Sequence, residues 1–119
     1  MWPPHCVQDT PGAMILITAD GPTQTVRKGM DPQFDSYSGF ADDGGHKTDL
    51  DNRLQKDGIK KLMVYGLATD YCVKATALDA IKAGYGVDLI VDLCRGVSPE
   101  TTASALEEMK AKGAGIISD

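Results

Sequence analysis

At 119 residues the chain is long enough for one domain and too short for two of ordinary size. Its net charge of −5 argues against nucleic acid or an anionic membrane as the main partner, because both select basic surfaces. No apolar run is long enough to span a bilayer, and the N-terminal residues lack the pattern of a signal peptide. The three cysteines form no Cys-x-x-Cys pair, which predicts a reducing and therefore cytoplasmic setting.

The first part of the chain predicts loops and short extended pieces. Residues 1–13 are rich in proline, glycine and polar side chains, and they predict a loop. The apolar run at 14–18 predicts a strand or a packed extended segment, and residues 23–28 predict a second extended piece. Residues 29–47 predict a long loop, and loops of that length are often functional.

After Thr48 the pattern becomes a regular alternation of helices and strands. Glycines follow each predicted helix, where they end helices well, and Ser98-Pro99 supplies a cap followed by proline at the first helical position. In chain order we predict a helix at 49–57 capped by Thr48, a strand at 61–65, a helix at 72–83, a strand at 87–91, a helix from 98 to about 112 and a strand at 114–117.

This alternation predicts an α/β fold in which crossover helices join the strands of a parallel sheet. Functional sites in such sheets lie at the carboxyl ends of the strands, and Cys72 follows the strand predicted at 61–65. A thiol where a helix begins is favoured as the thiolate, which is the form that acts as a nucleophile. The alternative is a structural cysteine, since free cysteine is among the most buried residue types.

Three segments together resemble one enzyme family: WPPHCVQDTPGA, GLATDYCVKATALDAIKAG and VDLIVDLCRGVSPETTASALEEMKAKG. They are similar to the nicotinamidases (pyrazinamidases), which are isochorismatase-like cysteine hydrolases, and the resemblance runs along nearly the whole chain in the family's order. It implies a three-layer α/β/α fold with a parallel sheet. It also implies hydrolysis of nicotinamide to nicotinate and ammonia, a step of NAD salvage.

The resemblance implies a Cys–Asp–Lys triad beside a divalent metal. By position Cys72 is the nucleophile, which expels ammonia from the amide and forms a thioester that water cleaves. Lys28 falls on the triad lysine, whose ammonium would stabilise the thiolate; taken alone, a lysine is more often a solvated surface residue. The N–H groups of Ala68 and Cys72 would form the oxyanion hole, with a cis peptide bond between Leu67 and Ala68.

The same resemblance implies a substrate pocket and a metal ligand. Trp2 falls on an aromatic residue that faces the pyridine ring, and Tyr37 matches a second pocket aromatic; ordinary loop packing is the alternative for Tyr37. His5 falls on a histidine that binds zinc, iron or manganese, although a lone histidine in a proline-rich loop is weak evidence by itself.

Four further polar or sulfur-bearing residues receive no catalytic role. Asp70 is interpreted as a residue that orders the turn before Cys72. Cys6 and Cys94 have no catalytic counterpart, and His46 is expected to be solvated in its Gly/Asp-rich loop.

The sequence departs from the family at its beginning. The family's first strand ends in the triad aspartate, and an Asp-x-His metal motif follows; both precede WPPHC, whereas this sequence starts at Met1. Asp20 ends a similar apolar run, but its position after WPPHC excludes it. We therefore expect residues 1–119 to be an N-terminally truncated isochorismatase-like hydrolase domain with exposed strand edges and apolar faces. With His5 as the one recognisable ligand, we do not expect tight metal binding.

The sequence thus predicts a nicotinamidase that acts on nicotinamide or a related pyridine or pyrazine carboxamide, with no nucleic acid or membrane partner. Self-association into a homo-oligomer is left open. Two alternatives remain: a non-catalytic subunit of the same fold, and a truncated fragment without activity of its own. A cooperative thermal transition would argue against an unstable fragment.

Overall fold

The computed structural model describes residues 3–15 and 21–118. Met14 and Ile15 lie in no strand, and the rest of the strand predicted at 14–18 falls outside the described residues. Residues 23–28 lie in no helix or strand, and residues 29–47 form the expected long loop with one bridge between Ala41 and Lys47. The regular elements are α1 (Leu50–Lys56), β1 (Lys61–Leu67), α2 (Lys74–Lys82), β2 (Gly86–Arg95), α3 (Pro99–Ala111) and β3 (Gly115–Ile117), with a short 3-10 helix at Pro11–Ala13.

The three strands form a parallel sheet in the order β1-β2-β3, which confirms the predicted α/β fold class. The connections through α2 and α3 provide the long crossovers that parallel neighbours require. Both β1 and β2 extend further than predicted, because Gly66 and Leu67 pair with Cys94 and Arg95 after a shift of register. The polar residues of β2 do not end the strand. Pairing between strands is made by backbone N–H and C=O groups and does not depend on side-chain hydropathy.

The core lies between the sheet and the helices. Leu89 of β2 and Met109 of α3 are completely buried, and the small side chains of Ala77 and Ala80 let α2 lie close to the sheet. Partly buried Leu50 and Leu54 of α1 pack against the same cluster, whose buried members are Phe40, Val73, Ala77, Ala80, Tyr85, Val87, Leu89, Cys94, Ala105, Met109 and Ala114.

Side-chain hydrogen bonds are made close to the beginnings of α3 and α1. Ser98 precedes α3, and its side chain accepts a hydrogen bond from the N–H of Thr101 at 3.4 Å, as the cap and Pro99 predict. At α1 the capping position belongs to Asp49, one residue after the predicted Thr48. The Thr48 hydroxyl still accepts a hydrogen bond from the N–H of Leu50 at 3.2 Å.

One face of β1 is apolar and exposed. Met63, Tyr65 and Leu67 alternate with residues that face the core, and their exposed fractions are 64%, 59% and 73%. Within the described residues β1 pairs on one side only, with β2. A parallel strand with an open edge and an exposed apolar face is a template for pairing with another chain.

We expect the isolated chain to self-associate through this face of β1, because association would cover Met63 and Leu67. Met63→Lys should shift sedimentation in the analytical ultracentrifuge towards the monomer. Met30→Lys is the matched control, since Met30 is 56% exposed in a loop outside the sheet. A chain that sediments as a monomer at every concentration would contradict this expectation.

In the part of the chain that the structure describes, no helix has the length and apolar character needed to cross a bilayer.

Candidate active site

Cys72 lies in a wide turn, Thr69–Val73, that joins the carboxyl end of β1 to α2. The carbonyl oxygen of Ala68 accepts hydrogen bonds from the N–H groups of Tyr71 at 3.1 Å and Val73 at 3.0 Å. The second bond spans five residues, as in a π-helix, and it widens the turn. The backbone is therefore helical from Thr69, first in the wide form and then as α2 from Lys74, so Cys72 lies within the helical stretch and not at its first residue.

The peptide bond between Leu67 and Ala68, at the entry to this turn, is cis, as the resemblance implies. Ala68 follows this bond, and its carbonyl oxygen accepts the two hydrogen bonds that shape the turn. The role of the Ala68 and Cys72 N–H groups as an oxyanion hole stays a prediction.

Lys28 and Cys72 meet although 44 residues separate them in the sequence. The Lys28 Nζ lies 3.5 Å from the Cys72 Sγ and also donates a hydrogen bond to the carbonyl oxygen of Ser36 at 2.5 Å. Gly29 follows Lys28 with φ of +71°, a backbone conformation that glycine adopts without strain. The structure thus brings together the amine and the thiol that the family resemblance pairs. The roles of Cys72 as nucleophile and of Lys28 as its partner stay predictions.

Ser36 was not singled out from the sequence, because its contact with Lys28 is made by the backbone carbonyl and leaves no side-chain signal. Its own hydroxyl is buried and has no hydrogen-bond partner among the described residues. A buried polar atom without a partner costs about 1–3 kcal/mol of desolvation.

Ser36→Ala is therefore expected to leave the free energy of unfolding unchanged or to raise it, by up to about 2 kcal/mol. The carbonyl that accepts from Lys28 remains in the variant. Urea unfolding of both proteins measures the difference. A clear loss of stability would mean that the hydroxyl has a partner in solution.

Asp70 connects the Cys72 turn to the beginning of α3. Its carboxylate accepts hydrogen bonds from the N–H of Val97 at 3.0 Å, the N–H of Ser98 at 3.3 Å and the hydroxyl of Thr101 at 2.5 Å. Burial by itself raises the pKa of Asp70, but these hydrogen bonds outweigh it and hold the pKa below its ordinary value. These side-chain hydrogen bonds go to the start of α3, so the interpretation of Asp70 as a residue that orders the turn before Cys72 stays a prediction.

The lowered pKa of Asp70 predicts a contribution to acid sensitivity. Because the unfolded chain binds this proton more readily, the stability from Asp70 is complete above its unfolded pKa of about 3.9. That stability is lost as the pH falls through the lower pKa of the folded chain. Urea unfolding between pH 7 and pH 3 should therefore show a smaller loss for Asp70→Asn than for the parent chain. Equal losses would contradict the prediction.

Tyr37 lies beside the Cys72 turn. Its ring is half-buried and packs against the ring of Tyr71, with centroids 5.8 Å apart and planes tilted by 41°. Tyr71 was missed in the sequence because a single tyrosine in a turn has no distinguishing pattern. Trp2, the other predicted pocket aromatic, lies outside the described residues.

Comparison with known proteins decides the family. The model of the isochorismatase domain family matches residues 2–119. The chain belongs to the isochorismatase family. Among curated relatives, the nicotinamidase of Escherichia coli (strain K12) is 48% identical over 120 residues, which cover 97% of this chain and 56% of that protein. The chain therefore spans just over half the length of this relative.

Solved isochorismatase-family structures superimpose on the whole unit. The pyrazinamidase of Pyrococcus horikoshii in complex with zinc gives a TM-score of 0.90 at 43% identity, and the match covers 100% of this chain and 64% of that one. The PnC1 protein of L. infantum in complex with nicotinate gives 0.94 at 37% identity, covering 99% and 61%. These matches confirm the isochorismatase-like fold that the sequence segments imply.

Zinc in the P. horikoshii relative establishes a divalent metal within the family. In this chain the predicted ligand His5 is exposed, and its Nδ1 lies 2.8 Å from the carbonyl oxygen of Pro3. Residues 3–15 and 21–118 bring together no group of three or more His, Cys, Asp or Glu side chains that could hold a metal ion. The described residues therefore do not form a complete metal site by themselves, and His5 stays a predicted ligand.

The remaining cysteines and His46 make no contact with Lys28 or Cys72 that the described residues show. Cys94 is buried and its thiol donates to the carbonyl oxygen of Ile90 at 3.3 Å, whereas Cys6 is exposed. His46 is exposed as expected, but it is also bound: its Nδ1 lies 2.9 Å from the Asp42 carboxylate. Burial raises the pKa of Asp42, yet hydrogen bonds from His46 and Gly44 outweigh this and lower it.

Proposed function

We propose that this chain carries the nucleophile of a nicotinamidase, which hydrolyses nicotinamide to nicotinate and ammonia. The observation that carries the proposal is the 3.5 Å approach of the Lys28 Nζ to the Cys72 Sγ. It occurs at the carboxyl end of a parallel strand, where α/β folds build their sites. The E. coli relative, 48% identical, is a nicotinamidase, which supports the same reaction for the protein to which this chain corresponds.

In the proposed reaction the Cys72 thiolate attacks the amide carbon and forms a C–S bond. The carbonyl oxygen becomes an oxyanion, for which the N–H groups of Ala68 and Cys72 are the proposed donors. The C–N bond then breaks, and the nitrogen takes up from solvent one proton, equivalent to the proton that the Cys72 thiol released on ionising, and leaves as ammonia. Water cleaves the resulting thioester, which releases nicotinate and restores the thiol. Lys28 stabilises the thiolate before the attack and after the cleavage.

The proposed substrate is nicotinamide or a related pyridine or pyrazine carboxamide. Tyr37, which packs against Tyr71 of the Cys72 turn, is proposed as one flat wall of the substrate pocket, and Trp2 is proposed as the second wall. The nicotinate complex of the L. infantum relative supports an aromatic ring of this kind. Zinc, iron or manganese at His5 would need ligands beyond those the described residues bring together, so the proposed mechanism assigns no step to a metal.

A free thiol at Cys72 is a requirement of this chemistry, so we also propose a reducing compartment, the cytoplasm. No nucleic acid or membrane partner is proposed, because the chain carries a net charge of −5. Self-association through the exposed face of β1 is the proposed origin of any homo-oligomer.

The test is a substrate series with the purified chain, with and without added zinc, iron or manganese. Nicotinamide and pyrazinamide should each release ammonia in step with their carboxylate product, whereas methyl nicotinate, which carries no amide nitrogen, should release none. Thermal unfolding of the same sample establishes that it is folded. A cooperatively folded chain that releases no ammonia under any of these conditions would overturn the proposed activity for this polypeptide.

A further inference from the structure

Asp70 makes a connection that the reaction above does not use. It lies two residues before Cys72 in the Thr69–Val73 turn, and only 4% of the residue is exposed. Each of the three groups that donate to its carboxylate comes from the residues that begin α3 or immediately precede it: Val97, Ser98 and Thr101. The buried Asp70 side chain therefore links the segment after β1 to the segment after β2 through hydrogen bonds.

The hydrogen bonds of Asp70 affect the distance between Lys28 and Cys72, because they hold the turn that carries Cys72. Lys28 belongs to a different segment, held by its own hydrogen bond to the Ser36 carbonyl. The 3.5 Å separation of the two reacting groups therefore depends on where the Cys72 turn sits. Displacement of a reacting group by about 1 Å can cost roughly a hundredfold in rate, even when the altered residue touches no substrate.

We propose that Asp70 is a positioning residue. Its hydrogen bonds link the Thr69–Val73 turn to the start of α3 and so hold the Cys72 thiol against Lys28. The proposal rests on the proposed function, since it assigns Asp70 a part in that reaction. Asp70 acts through the backbone of its own turn and makes no contact with the substrate. Among the described residues, the recorded side-chain contact of the Cys72 thiol is with the Lys28 ammonium.

Two kinds of variant separate a positioning role from a purely structural one. Thr101→Val removes one hydrogen bond to Asp70 while it keeps the size of the side chain and the charge of Asp70, and Thr101→Ser keeps the hydroxyl. Asp70→Asn removes a negative charge, which by itself would favour the thiolate. Slower chemistry at Cys72 in that variant would therefore have to come from geometry.

The first measurement is the rate of alkylation of Cys72 by iodoacetamide at pH 7, followed by mass spectrometry of its peptide. It does not depend on turnover, and the buried Cys94 serves as an internal measure of unfolding. Lys28→Met gives the rate without the ammonium. We expect Thr101→Val and Asp70→Asn to slow alkylation towards the Lys28→Met rate, and Thr101→Ser to retain the parent rate.

The second measurement is nicotinamide hydrolysis. Thr101→Val should lower kcat about tenfold or more with KM within about twofold, and Thr101→Ser should restore it. Parent-like alkylation in Thr101→Val and Asp70→Asn, with slow alkylation in Lys28→Met, would overturn the proposal and leave Asp70 a stabilising residue. Parent-like alkylation in Lys28→Met would overturn it too, by removing its electrostatic basis. The expected alkylation pattern without any turnover would support the positioning role and count against the proposed activity.

Discussion

Replacing Cys72 by alanine is expected to lower nicotinamide hydrolysis by on the order of 10⁴-fold or more, because the substitution removes the only atom that can form the thioester. The fold should survive, since Cys72 is only partly buried and lies in a turn held by backbone bonds to Ala68. Cys72→Ser is also expected to be inactive, because a hydroxyl ionises far less readily than a thiol beside the same ammonium. Nicotinate formation, measured by chromatography, gives the rates.

Cys6→Ala is the matched control for this substitution. Cys6 is an exposed thiol outside the Lys28–Cys72 pair, so its removal should leave the rate unchanged. Rapid acid quenching of the parent chain with nicotinamide should trap a nicotinoyl group on the Cys72 peptide, and Cys72→Ala should trap none. Turnover in Cys72→Ala would mean that another group is the nucleophile. Lower thermal stability with normal turnover would favour the structural interpretation of this cysteine.

The elements that sequence reasoning located well are those with local signals. The start of α3 was predicted from Ser98 and Pro99, and the Ser98 side chain does bond the N–H of Thr101. Gly84 and Gly113 follow α2 and α3 closely with φ of +99° and +112°, conformations that favour glycine and end helices. Each of these features depends on a few neighbouring residues, so the sequence pattern is sufficient to predict it.

The features that were missed depend on partners far along the chain or on backbone geometry. The wide turn around Cys72 comes from a bond between Ala68 and Val73, and apolar periodicity carries no signal for such a bond. The extension of β2 to Arg95 follows from its pairing with Leu67 of β1.

The candidate site also combines a residue with a local sequence signal and residues whose partners lie far along the chain. The sequence alone places Cys72 at the end of a strand, whereas Lys28 lies 44 residues away in a loop and has no pattern of its own. Only the family resemblance selected Lys28. The contact of Tyr71 with Tyr37 and that of the Ser36 carbonyl with Lys28 join separate loops, so they become visible only in the folded chain.

Lys28→Met tests whether the positive charge of Lys28 contributes to the reactivity of Cys72. Methionine keeps an unbranched apolar side chain but removes the ammonium that lies 3.5 Å from the Cys72 Sγ. Because the positive charge beside the Sγ is lost, alkylation of Cys72 at pH 7 should be slower than in the parent chain. We expect kcat/KM for nicotinamide to fall by roughly 10²-fold, because the ammonium no longer lies beside the attacking sulfur and its orientation by Lys28 is lost.

The matched control is Arg27→Met, which removes a neighbouring exposed cation and produces the same change in net charge. If long-range charge alone acted on the thiol, both variants would slow alkylation to a similar extent, and added salt would reduce the difference from the parent chain. Contact through the Lys28 Nζ predicts a large effect for Lys28→Met and a small one for Arg27→Met. Lys28→Arg should fall between the parent and Lys28→Met, because it keeps the charge but its planar guanidinium cannot occupy the compact position between Cys72 and the Ser36 carbonyl. Parent-like rates in Lys28→Met would leave Cys72 without an activating partner among the described residues, and the proposed nucleophile would lose its physical basis.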